Sequence, residues 1–136
     1  MKKKVVSLRL IYVVFLLLAI VALGQGQHKT ADTSKNDQYE TRCGWFSNPT
    51  PANASLYDRD GEWIIGVQGG YQAEGDWPDF GRGQWVETNV HYGYGCACLR
   101  LRVNRKTHEV IEIESAQARP LSACRRDRSL KKWKFK

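Results

Sequence analysis

Four cysteines, Cys43, Cys96, Cys98 and Cys124, constrain this chain more than any other feature, and their chemistry depends on the compartment in which it folds. The first 24 residues speak to that. Met1-Lys2-Lys3-Lys4 is followed, past Arg9, by the apolar run Leu10 to Leu23 and by small residues, Ala22 and Gly24, at the two positions a signal peptidase reads. This is the layout of a cleavable signal peptide. An uncleaved anchor in the inner membrane is the alternative, because Val5 to Leu23 is interrupted only by Ser7 and Arg9. The unbroken stretch of about 14 residues is short for a bilayer that needs about 20. In both cases the lysines stay on the cytoplasmic side and the remainder is exported. Gln25 follows Gly24, where a lipid-anchored N-terminus would carry a cysteine.

An even set of cysteines in a small exported domain is normally paired. Of the three connectivities, a direct Cys96–Cys98 bridge strains a three-residue ring, so one of these two is expected to join Cys43 and the other Cys124. Each bridge closes a loop of tens of residues and stabilises by roughly 4 kcal/mol in the chain-entropy account. That matters because a domain of this size buries only about two-thirds of its unfolded surface. A four-thiolate zinc site lacks its Cys-x-x-Cys knuckles, and a thioredoxin-like redox site lacks the same spacing, so neither a metal nor a cofactor is expected.

The formal charge of +7 invites a nucleic-acid reading that its distribution removes. Lys2, Lys3, Lys4 and Arg9 belong to the leader, and Arg125, Arg126, Arg128, Lys131, Lys132, Lys134 and Lys136 to the last twelve residues. Residues 25–124 hold ten Lys or Arg against thirteen Asp or Glu, a net of −3. The body is mildly acidic and offers no basic face.

Residues 25–41 are polar, without apolar periodicity, and read as a flexible spacer. Residues 42–130 read as a mainly β, disulfide-stabilised single domain of small antiparallel hairpins with one short C-terminal helix, and residues 131–136 as a basic aromatic tail. Cys43 to Phe46 opens a short strand, which Asn48-Pro49-Thr50-Pro51 is expected to stop. Asp58-Arg59-Asp60-Gly61, with positive φ at Asp60-Gly61, turns one hairpin between Leu56-Tyr57 and Glu62 to Val67. Gln84 to Thr88 is a further strand. In Cys96 to Val103, residues Ala97, Leu99, Leu101 and Val103 share one face and Cys96, Cys98, Arg100 and Arg102 the other, so Cys43 and Cys124 must converge on the cysteine face. Pairing Leu101 with Ile111 and Leu99 with Ile113 would bring Arg100 and Arg102 to Glu112 and Glu114. The helix is expected within Ala118 to Leu130. Gln68 to Gly83 holds five glycines and suits a long irregular loop.

The strings Arg42-Cys43-Gly44-Trp45-Phe46, Asn48-Pro49-Thr50-Pro51-Ala52-Asn53, Asp58-x-Asp60-Gly61-Glu62-Trp63-Ile64, Tyr92-Gly93-Tyr94-Gly95-Cys96-Ala97-Cys98-Leu99 and Cys124-Arg125-x-Asp127 occur here in one order. Over about Arg42 to Leu130 the chain resembles a family of small exported bacterial proteins, domain of unknown function number 4087. The resemblance implies a bacterial, periplasmic protein and carries over no activity and no catalytic residue.

No catalytic set is expected from the residues either. Asp58-x-Asp60-Gly61 lacks the later ligands of a calcium loop and reads as a turn with solvated aspartates. Asp76 and Asp79 could serve a glycosidase as an acid pair. His91 has no nucleophile pattern beside it. Trp45, Trp63 and Trp85 are expected in the core. Tyr71, Asp76, Trp77, Asp79 and Phe80, on the glycine-rich loop, form the candidate ligand platform, able to stack on sugars or anchor a protein. Lys131, Lys132, Trp133, Lys134, Phe135 and Lys136 interleave cations and aromatics as interfacial membrane segments do. The expectation is an exported binding protein, an inhibitor of an envelope enzyme or a ligand for cell-wall glycan, ahead of a hydrolase using Asp76 and Asp79 and of a membrane-surface protein using its tail.

Overall fold

The computed structural model describes residues 38–135, so the leader, the spacer up to residue 37 and Lys136 lie outside the described residues. Six strands form one sheet: β1 Glu40–Thr50, β2 Asn53–Tyr57, β3 Glu62–Gly66, β4 Trp85–Asn89, β5 Tyr92–Asn104 and β6 Glu109–Arg119. Helix α1, Leu121–Arg126, and a 3-10 turn, Arg128–Leu130, follow. The fold is mainly β and carries two disulfides. Among the described residues no helix is long and apolar enough to cross a membrane.

The sheet closes on itself. β1 pairs with β2, β2 with β3, β3 in parallel with β6, β6 with β5, and β5 back with β1. This ring of five strands has the connectivity of the small barrels that bind oligonucleotides and oligosaccharides. β4 lies outside the ring, beside the first residues of β5. Alternation sends Phe46, Leu56, Ile65, Ala97, Leu99, Leu101, Val103, Val110 and Ile113 into the barrel.

Several expectations shift in the structure. Pro49 does not stop β1, because it lies in the register shift between Ser47 and Thr50, where the ladder needs no donor from it. β1 also begins at Glu40, so Glu40 and Thr41 of the expected spacer belong to the sheet. In the β5–β6 hairpin Leu101 faces Ile113 and Leu99 faces Ala116, because register shifts follow Arg100 and Arg102. The expected ion pairs survive: Arg102 Nη2 lies 2.9 Å from Glu112 Oε2, and Arg100 pairs with Glu114. Ala118 and Arg119 are strand, not helix, and Pro120 starts α1.

The cysteines pair as Cys43–Cys98 and Cys96–Cys124. Cys43 sits directly opposite Cys98 in the β1–β5 ladder. Trp45, Tyr94, Cys96, Cys124 and Leu130 form a second apolar cluster with Tyr57, Val86, Trp133 and Phe135 against it. The first disulfide ties β1 to β5, and the second ties α1 to β5.

Candidate functional site

The connection from β3 to β4 shapes an open groove. Its first part is a seam: Ala73 N–H donates to Ile65 O (2.8 Å), Glu74 N–H to Ile111 O (3.1 Å), and Ile113 N–H to Glu74 O (2.8 Å). Gln72 to Glu74 thus bonds to both β3 and β6, which share a single residue pair of their own. The second part is a plug. Pro78 is buried, and the half-buried rings of Trp77 and Phe80 lie 5.6 and 5.8 Å from Phe46. Phe80 fits because residue 95 is glycine; a Cβ there would sit 2.3 Å from its ring.

The third part is a tight turn. Gln84 N–H donates to Gly81 O (3.1 Å), Gln84 Oε1 accepts from Gly81 N–H (2.9 Å), and Gly83 has φ +77°. That hydrogen bond with a positive φ at the third residue is a type II turn, for which glycine is the natural occupant. Arg82 stands exposed at its tip. The chain then enters β4, where alternation places Trp85 and Glu87 on one face. Phe80, Gly81, Arg82, Gly83, Trp85 and Glu87 line an open groove of about 590 Å³. The rings of Phe80 and Trp85 are 4.8 Å apart, tilted by 38°. Trp85 Nε1 donates to His91 O (3.1 Å), which fixes the indole.

Of the platform expected from the sequence, only Phe80 lines this groove. Trp77 packs inward on Phe46 rather than standing free, because the barrel end needs an apolar cap. The Tyr71 hydroxyl donates to Val110 O at 2.7 Å. Asp76 and Asp79 are exposed on either side of Trp77-Pro78 and do not line the groove. Arg82, Trp85 and Glu87 were not among the expected ligand residues. Their signal is the string Gly81-Arg82-Gly83-Gln84-Trp85-x-Glu87, a glycine turn feeding a strand whose alternate residues are aromatic and charged.

A second, polar cleft of about 470 Å³ lies where β1 begins, lined by Glu40, Arg42, Asp58, Asp60, Arg105 and Asp127 among others. Arg42 and Asp58 are buried there, their side chains 7 and 4 % exposed. Arg42 Nη1 donates to Asp58 Oδ2 (2.5 Å) and Asp60 Oδ2 (3.0 Å), and its Nε to Glu40 Oε1 (2.8 Å). Arg105 also pairs with Glu40. The guanidinium stands 4.0 Å over the ring of Trp63, which stacks on His108 at 4.8 Å. Burial works against the charge of Asp58, but hydrogen bonds from Arg42 and from the backbone of Gly61 and Asp60 outweigh it and hold the carboxyl below its ordinary range. Asp58 Oδ1 accepts from Asp60 N–H (2.7 Å) and Gly61 N–H (2.9 Å), and this side-chain bond shapes the turn. The expected positive φ is absent from Gly61, and Asp58 is buried rather than solvated. Among the described residues no group of three or more His, Cys, Asp or Glu is placed to hold a metal. Within the cleft Arg42 pairs with Glu40, Asp58 and Asp60, and Arg105 with Glu40.

The C-terminal segment is docked on the barrel. Trp133 lies 5.0 Å from Tyr57 and donates from Nε1 to Asp58 O (2.7 Å). Phe135 lies 4.9 Å from Tyr94 and 5.5 Å from Trp45. Lys132 Nζ donates to Arg59 O (2.7 Å), and Lys131 and Lys134 are exposed. Burial, with a hydrogen bond to Glu62, pushes Tyr57 up to about 12.

Fold and groove define a disulfide-bridged β-barrel protein with an aromatic surface groove. The chain matches the family described as protein of unknown function DUF4087 over residues 37–131, and it belongs to that family. Three of the strings that carried the resemblance, around Arg42, Asp58 and Asp127, meet at the polar cleft. No curated protein and no solved structure matches the chain.

Proposed function

We propose that this chain is an exported, periplasmic binding protein that takes a saccharide of the cell envelope in the groove along β4. The observation that carries this reading is the Phe80–Trp85 ring pair, opening between Arg82 and Glu87, which form no ion pair with each other. Tilted rings offer an apolar face to a pyranose, and a cation and a carboxylate supply the donors and acceptors its hydroxyls need. The net charge of −3 over residues 25–124 disfavours an oligonucleotide. Two disulfides are compatible with an oxidising compartment, and the leader supplies the route.

The test is a tryptophan-fluorescence titration of the mature protein with chitotetraose, alongside the Glu87→Gln variant. A saturable change weakened severalfold in the variant is expected. No saturable binding of chitotetraose or of a carboxylate-bearing tetrasaccharide by the wild type refutes the saccharide reading. Fractionation of cells carrying the full chain checks export: recovery of the folded protein in the cytoplasm refutes it.

A further inference from the structure

We propose that the groove selects saccharides that carry a carboxylate and that Arg82 reads it; this rests on the saccharide reading above. Six arginines lie between residues 42 and 105. Five are in ion pairs: Arg42 with Glu40, Asp58 and Asp60, Arg59 with Asp60, Arg100 with Glu114, Arg102 with Glu112, and Arg105 with Glu40. Arg82 alone of the six has no carboxylate partner among the described residues. Arg119, Arg126 and Arg128 also have no ion pair among the described residues, but of the arginines without one only Arg82 lines the aromatic groove.

The backbone under Arg82 is held. Reciprocal bonds between Gly81 and Gln84 fix the turn, and Gly83 supplies the positive φ. Space beside the turn is open, since a Cβ at Gly83 would meet nothing within 4 Å. A held backbone lowers the entropy cost of engaging a ligand, and the planar guanidinium fork donates two parallel hydrogen bonds to a carboxylate. The rings of Phe80 and Trp85 beside it hold the sugar face. Glu87, in the same groove, repels a second carboxylate and accepts from hydroxyl or amide N–H donors. The preferred ligand therefore carries an acidic sugar next to a neutral N-acetylated one, rather than an unbroken run of acids.

Two matched probes separate this inference from the reading beneath it. A hyaluronan tetrasaccharide alternates glucuronate with N-acetylglucosamine, whereas chitotetraose has the amide sugar alone. For the wild type, the acidic probe is expected to bind about tenfold tighter, roughly 1.4 kcal/mol, with the difference shrinking at high salt. In Arg82→Gln the preference should disappear because the acidic probe loses about tenfold, while chitotetraose, which loses only a hydroxyl contact that the glutamine amide can partly replace, weakens much less. Arg82 is exposed on a turn, and near-ultraviolet circular dichroism checks that the variant is folded. Equal binding of both probes by the wild type, tighter binding of chitotetraose, or a preference that persists in Arg82→Gln overturns the carboxylate inference and leaves the saccharide reading standing. Binding of neither probe overturns both.

Discussion

Replacing Arg42 by methionine should be among the most damaging single changes in this domain, although it removes a charge from the interior. Methionine keeps most of the side-chain length and packs on Trp63, so little apolar contact is lost. What is lost is the partner of Asp58, whose side chain is only 4 % exposed. Glu40 retains Arg105, and Asp60 is 52 % exposed and can turn to water, so the stranded group is Asp58. Breaking a buried pair from one side costs about 3–5 kcal/mol, against a total stability of about 5–15 kcal/mol for a typical domain. With a slope of about 1–1.5 kcal/mol per molar urea, the unfolding midpoint should fall by about 2–5 M. The double variant Arg42→Met/Asp58→Asn separates the causes. Asparagine keeps the oxygen that accepts from Asp60 and Gly61 and removes the unpaired charge, so most of the loss should return. The assay is equilibrium urea unfolding followed by tryptophan fluorescence with both disulfides intact. A loss below about 1 kcal/mol in the single variant, or a double variant no more stable than the single, refutes the argument that the stranded carboxylate is the cost.

The same carboxyl sets an acid limit. Its folded-state pKa lies below the ordinary 3.8, so its contribution is complete above that value and is lost as pH falls through and below it. The thermal midpoint should be flat down to about pH 5 and drop steeply below about pH 4, less steeply in Arg42→Met/Asp58→Asn. Gly95→Ala would place a Cβ 2.3 Å from the Phe80 ring, so the ring must leave its seat. A loss of about 1–3 kcal/mol and a changed Trp85 emission are expected, and unchanged stability with unchanged emission would refute the seating of Phe80. The two disulfides close segments of 55 and 28 residues, so replacing Cys43 and Cys98 by serine should cost about 4 kcal/mol and replacing Cys96 and Cys124 slightly less. The opposite order in urea unfolding would show that α1 docking, rather than loop closure, dominates the second bridge.

Strict alternation made β5 legible, and the spacing of Cys96 and Cys98 on one face left two pairings, one of which forms. The β5–β6 register was not legible, because two register shifts are set by how strands close into a barrel rather than by local pattern. Closure itself was hidden for the same reason: the parallel contact of Ile64 with Glu109 joins residues with no local signal. Asp58 looked like a turn residue and is one, but its burial depends on Arg42, sixteen positions earlier. At the groove, the sequence put Trp77 on an open platform and Trp85 in the core; in the structure Trp77 packs on Phe46 and Trp85 borders the groove, a difference set by tertiary packing around Phe46 and not by local pattern.

What separates the groove from the rest of this aromatic-rich surface is the use to which the other rings are put. Trp45, Tyr57 and Tyr94 would form a large exposed patch on β1, β2 and β5, but Trp133, Phe135 and Leu130 cover it, and the Cys96–Cys124 bridge holds α1, which leads into that cover. The tail's aromatics therefore pack against the barrel, while Lys131, Lys132 and Lys134 are exposed. At the barrel interior Trp63 is sandwiched between Arg42 and His108, and Trp77 is committed to Phe46. Phe80 and Trp85 differ because they are seated from beneath, by Phe46 and by the carbonyl of His91, and yet border open space. Rings fixed from below and open above, beside a cation with no carboxylate partner among the described residues, are the surface on which a ligand gains most and the fold loses least.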